Sequence, residues 1–136
     1  MVKNSVWIQQ EICGVKLYVY RSNVQNATTI YFLDGNQFEE TFNHWISKHQ
    51  AGLNFVLLNA NNRTDDYTPW PLHASETMPM DFGGKAEEHL SFITTHVIQF
   101  CESEYGFASS AEKRVIGGYS LGGLFSLYAA VNTDLF

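Results

Sequence analysis

Residues 116–124 read IGGYSLGGL, a strand-like run that breaks into a small-residue turn with a serine at its tip and resumes as a helix. Within it, Gly118-Tyr119-Ser120-Leu121-Gly122 has the G-x-S-x-G pattern. A strand can turn this sharply into a helix only where the two backbones pass closely. The residues two before and two after the serine must then be small, and the serine's own backbone is held in a strained conformation. Gly117, Gly118, Gly122 and Gly123 supply that smallness on both sides. The helix N-terminus turns partial positive charge toward the serine, which favours an oxyanion there. Ser120 is thus a candidate nucleophile. The competing reading is a simple N-cap, since serine is a preferred capping residue.

The preceding residues supply the fold that such a turn requires. VKLYVY (15–20) alternates as a strand, and VWIQQEI (6–12) pairs with it as a hairpin through Gly14. TTIYFL (28–33), NFVLLNA (54–60) and KRVIGGYS (113–120) are nearly continuous apolar runs, as strands buried on both faces would be. Between them, residues 38–52 carry Phe38, Phe42, Trp45, Ile46 and His49 at helical spacing. From Lys85 to Tyr105-Gly106 a second helix sets Ala86, Leu90, Ile93, Val97 and Cys101 on one stripe. LGGLFSLYAAV forms a third. Residues 61–84, polar and proline-bearing, read as a long loop. A β-hairpin followed by β-α-β-α-β-α predicts an α/β fold, a mostly parallel sheet with helices on both faces. Ligands in such folds sit at the carboxyl ends of the strands.

At 136 residues the chain is one domain by length, and 45% hydrophobic against 16% charged residues makes it globular rather than disordered. A net charge of −6 with scattered basic residues argues against nucleic acid or an anionic membrane as partner. No apolar run is long enough for a signal peptide core or a membrane span. Cys13 and Cys101 have no metal-ligand spacing, so two reduced, buried thiols in a cytoplasmic protein are expected. No zinc, P-loop or dinucleotide motif is present, and no cofactor is expected.

Chemistry beyond Ser120 is expected on the loops at the same sheet end. The second donor of such a site is a backbone N–H after an earlier strand, and IYFLDGNQF fits, which assigns the oxyanion hole to the amides of Asn36 and Leu121. Donors of this kind are worth roughly 2.7–4 kcal/mol each in the transition state. Arg63, Tyr67 and Trp70, in the loop after strand 54–60, would make an apolar wall with one cation, or else cover the sheet. Of the five histidines, His73 alone lies in a loop near the expected mouth, and His89 with His96 reads as a solvated pair on one helix side.

At IYFLDGNQF, NANNRTDDYTPWP, FGGKAEEHLSFITTHVIQFCESEYGF and VIGGYSLGGLFSLYAA, four ordered blocks over residues 15–136, the chain resembles the esterase D-like family of α/β-hydrolases. That group contains enterochelin esterases, some feruloyl esterases and mycolyl transferases. The resemblance implies hydrolysis of acyl or aromatic esters, small-molecule substrates, through an acyl-serine on Ser120, with Asn36 and Leu121 as oxyanion donors. The departure lies downstream. In α/β-hydrolases an acid and then a histidine follow the serine. Here no histidine follows, and the one carboxylate, Asp134, is roughly 20 Å along a helix from Ser120. The chain therefore reads as the N-terminal portion of such a domain, truncated after the helix that follows Ser120. The alternative is a non-catalytic remnant serving as a binding or assembly module. In either case the strand RVIGG would form an unprotected sheet edge, through which self-association is expected.

Overall fold

The computed structural model describes residues 7–49 and 52–136. Strands β1 (Ile8–Ile12) and β2 (Val15–Tyr20) form the expected antiparallel hairpin. Its turn is Cys13-Gly14, with φ of 49° and 79°, the left-handed pair that a two-residue type I′ turn requires. Cys13 is consequently exposed at the turn, contrary to the expected burial, whereas Cys101 is buried. Burial pushes the Cys101 thiol up to about 12. Residue 6 of the expected first strand lies outside the described residues.

Strands β3 (Thr28–Leu33), β4 (Leu53–Leu58) and β7 (Arg114–Gly117) are mutually parallel, and the five-stranded sheet runs β1-β2-β4-β3-β7. In β4, Phe55 and Leu57 face one side while Val56 and Leu58 face the other, and all four are buried. That is why its sequence is an unbroken apolar run. Helix α1 (Gly35–Lys48) lays Phe42 and Ile46 on the first face, against Phe55 and Leu57. The opposite face, with Leu17, Val19, Tyr31 and Leu33, is closed by α3 (Ala86–Phe92), α4 (Ile98–Tyr105) and α5 (Leu121–Asn132). The α/β architecture with helices on both faces is thus the one expected.

Two departures concern the segment between β4 and α4. Residues 61–84 are not wholly loop: they hold a short helix, α2 (Arg63–Asp66), and a two-stranded ribbon of β5 (Pro71–Leu72) with β6 (Phe82–Gly83). The long helix is continuous from α3 to α4 but contains a π turn at Ile93–Val97. The wider turn changes the helix phase. His89 and His96 therefore do not form a solvated pair: His96 is exposed, while His89 is buried against the rings of Tyr67, Phe92 and Phe125.

Strand β7 is an edge. One side pairs with β3 in the register Phe32↔Gly117, and Val115 is 43% exposed. Arg114 pins its start, donating to Glu102 Oε1 at 2.7 Å and to the Leu135 carbonyl at 3.2 Å. Beside this edge α5 leaves Leu124, Leu127 and Val131 in solvent. Among the described residues no helix is long and apolar enough to cross a membrane.

The buried His89 ring has no hydrogen bond at Nε2, and burial lowers its pKa from 6.5 to about 4. Above pH 6.5 the ring is neutral whether the chain is folded or not, so no penalty arises. As pH falls from 6.5 toward 4 the unfolded chain takes up the proton first, and stability drops by up to about 3 kcal/mol before levelling. Urea unfolding at pH 7 and pH 4.5 should show this loss, and His89→Leu should remove most of it. An equal pH dependence in both proteins would show that His89 titrates normally.

Candidate active site

The site is built where β3, β4 and β7 end side by side. At the end of β7, Ser120 has φ 58° and ψ −120°, a strained conformation for a residue with a Cβ. It occupies the N-cap position of α5, yet its side chain makes no capping hydrogen bond. The turn is held instead by backbone bonds, Gly122 N–H to the Tyr119 carbonyl at 2.9 Å and Leu124 N–H to the Ser120 carbonyl at 3.1 Å. The glycines explain themselves sterically. A Cβ on Gly118 would stand 2.5 Å from the Gly122 carbonyl carbon, so only glycine lets strand and helix meet. Ser120 is exposed, with its hydroxyl not spent on the helix.

The end of β3 is equally constrained. Asp34, φ 57°, is 3% exposed and caps α1 by position without a side-chain bond to it. Gly35 follows because a Cβ there would stand 2.6 Å from that of Leu57 on β4. The Asp34 carboxylate receives Arg63 Nε–H at 3.2 Å and Nη2–H at 2.9 Å, a two-pronged ion pair. The same hydrogen bonding pushes the Arg63 guanidinium above its ordinary value. The Asp34 amide donates to the Tyr67 hydroxyl at 3.1 Å. Burial, and after it the Asp34 charge, holds that hydroxyl above the usual tyrosine range, so it stays neutral. On the third side, a Cβ on Gly122 would be 3.5 Å from Asp34 Oδ2. One buried carboxylate therefore joins the exits of β3 and β4 and stands close to the start of the helix after β7.

The amides of Asn36 and Leu121 lie in the first turns of α1 and α5, where no carbonyl four residues back is helical and able to accept from them. The register that sets Phe32 beside Gly117 places these two helix starts next to one another, bridged by the rings of Phe38 and Tyr119 at 6.1 Å. Of the three residues expected to form a wall, Tyr67 is fully buried beneath the loop and Arg63 is engaged with Asp34, while Trp70 is 65% exposed. His73 is exposed on the loop between β5 and β6. The part played by Asp34 was not evident in sequence; its one signal is an acidic residue closing a buried strand with an arginine after the next.

Residues 9–136 match the family described as "Putative esterase". A curated relative, the uncharacterized protein YbbA of Bacillus subtilis, is 30% identical over 115 residues, covering 81% of this chain and 46% of that protein. Among solved structures, the BES protein of Bacillus cereus superposes with a TM-score of 0.76 at 20% identity, covering 97% of this chain and 58% of its own. An IroE-like serine hydrolase from Shewanella oneidensis gives 0.76 at 21%, covering 96% and 48%. At these identities the structural likeness is one of fold. The chain spans about half the length of these relatives.

Tyr67→Phe keeps the ring and removes only the acceptor of the Asp34 amide. Leaving that buried N–H unpaired should cost about 1–3 kcal/mol in denaturant unfolding. Tyr119→Phe, on a residue 67% exposed, should change stability by less than about 0.5 kcal/mol. Equal effects would mean that the Tyr67 hydroxyl does not support the β3 exit.

Proposed function

The chain belongs to the "Putative esterase" family, and from that premise we propose that it carries the nucleophile-bearing half of a serine carboxylesterase acting on small acyl or aromatic esters. The observation that carries this reading is the Ser120 backbone, strained at φ 58° and ψ −120° with its hydroxyl left unused by the helix it starts. A residue needed only as a cap would relax into extended backbone and bond the helix amides. That relaxation is forgone here at a cost of order 1–3 kcal/mol.

In this mechanism Ser120 Oγ adds to the ester carbonyl as its proton passes to a base. The carbonyl π bond becomes an oxyanion, which accepts hydrogen bonds from the Asn36 and Leu121 amides. Collapse expels the alcohol, reprotonated by the same base, and leaves acyl-Ser120 for water to cleave. We give substrate contact to Trp70, and assign Arg63 and Tyr67 to holding the loop that aims the Asn36 amide. We assign the base and its acid to polypeptide outside residues 1–136; the burial of His89 in the core and the lack of a histidine among residues 121–136 support that assignment.

The β7 edge with Val115, together with Leu127 and Val131, favours a companion reading, in which this surface pairs with more polypeptide or with a second copy. The two free cysteines fit a reducing, cytoplasmic setting.

Two measurements follow. Residues 1–136 by themselves should turn over a nitrophenyl ester about 10⁶-fold more slowly than a complete triad. Adding a polypeptide that supplies the later strands, acid and histidine should restore activity that Ser120→Ala abolishes. A folded complex that stays inactive would remove Ser120 from this role. By light scattering, residues 1–136 at high concentration should self-associate, and a monodisperse monomer would show the β7 edge to be covered.

A further inference from the structure

Beside the Ser120 turn lies a cleft of about 220 Å³ whose lining carries no charge. Pro69, Trp70, Leu72 and Phe82 line it together with Leu121 and Leu124 of α5, and Thr68 completes the lining. Trp70, Leu72 and Leu124 stand 65%, 48% and 39% exposed around it, so apolar surface that could be covered is left in water. The shape is built in. Gly84, at φ 69°, lies directly against the backbone of Trp70 and Pro71, where any Cβ would overlap it, and Gly83 packs as closely on Asp65. The pairing Leu72↔Phe82 then sets the two apolar side chains of the ribbon toward α5. The two larger cavities, about 550 and 590 Å³, share Arg21, Ser22, Asn23 and Val24, and lie at the other end of β3 and β4. They are bigger but polar, and neither is lined by any residue of the Ser120 turn.

We propose that this cleft is the subsite for the apolar part of an ester, an unhydroxylated aromatic ring or a short acyl chain. The proposal rests on the reading of Ser120 as nucleophile for its catalytic meaning, though not for its binding. Leu121 links the two: it lines the cleft, and its amide is the one proposed above as oxyanion donor beside Ser120. A group seated in the cleft therefore has its carbonyl carried to the reacting atoms. The volume suits the assignment, since an apolar cavity of about 150 Å³ already accepts benzene.

The lining also discriminates. Thr68 Oγ1 is already engaged, donating to the Thr64 carbonyl at 2.8 Å and, more weakly, to the Asp65 carbonyl at 3.3 Å, and accepting from the Gly84 N–H at 2.9 Å. The indole N–H of Trp70 remains as a donor. It can serve one oxygen, so a ring bearing two hydroxyls turns at least one polar group toward Leu and Phe, where it exchanges water for carbon. The cleft thus selects against catechol-like groups and against carboxylates.

The test is equilibrium dialysis of residues 1–136 with ethyl benzoate, ethyl butyrate and ethyl 2,3-dihydroxybenzoate. Ethyl benzoate and ethyl butyrate should bind saturably, and ethyl benzoate at least fivefold more tightly than the dihydroxy ester. Leu72→Asp, at an exposed position where folding tolerates it, should weaken ethyl benzoate at least fivefold. Val24→Asp, in the polar cavities at the far end, should leave binding unchanged. Absence of saturation, tighter binding of the dihydroxy ester, or indifference to Leu72→Asp would each overturn the proposal. No acyl transfer enters these readouts, so they succeed or fail independently of Ser120 chemistry.

Discussion

The buried carboxylate of Asp34 is the point on which the site end of the molecule depends. It closes β3, takes both prongs of Arg63 from the segment after β4, and lies against Gly122 at the start of the helix after β7. Two segments distant in sequence are thereby tied at one place, with the third close beside them. A carboxylate only 4% exposed on its side chain is tolerable only when paired and hydrogen-bonded, so the ion pair commits the loop to a single arrangement. The Tyr67 hydroxyl completes it by taking the Asp34 amide, which would otherwise be an orphan in a left-handed residue.

Around that hub the chain stores strain where chemistry is proposed. Asp34 and Ser120 are both non-glycine residues with positive φ, at φ 57° and 58°. Each is followed by a helix, and the two helix starts lie next to one another at the ends of β3 and β7. The glycines that permit this, Gly35 against Leu57 and Gly118 against Gly122, have no room for a Cβ, so each turn closes tightly onto its own neighbour. Preorganised donors of this kind stabilise developing charge because they need no rearrangement when it appears. Next to them the ribbon of β5 and β6 brings an uncharged wall, which gives the crevice one polar and one apolar side.

Much of the fold was legible because its signals are local. The unbroken apolar run of β4, the stripe Ala86-Leu90-Ile93-Val97-Cys101 and the glycines about Ser120 each announce their environment in the sequence. What was not legible depends on packing at a distance. Two-residue strands at Pro71–Leu72 and Phe82–Gly83 carry too short a pattern to read, and exist because Gly83 and Gly84 fit against Asp65 and Trp70. The π turn shows no residue signature, yet it separates buried His89 from exposed His96. Tyr67 reads like a surface aromatic in a polar loop, and its burial follows from a partner thirty-three residues away. Asp34 reads as half of an Asp-Gly turn, and its charge acquires meaning only beside Arg63.

As the proposed nucleophile, Ser120 in its strained turn would take the acyl group. Peptide mapping by mass spectrometry, after quenching the complemented protein during turnover of a nitrophenyl ester, tests this most directly. One acyl adduct is expected, on Ser120, with Ser126 unmodified on the same helix. An adduct on another residue, or hydrolysis with no covalent intermediate on Ser120, would contradict it.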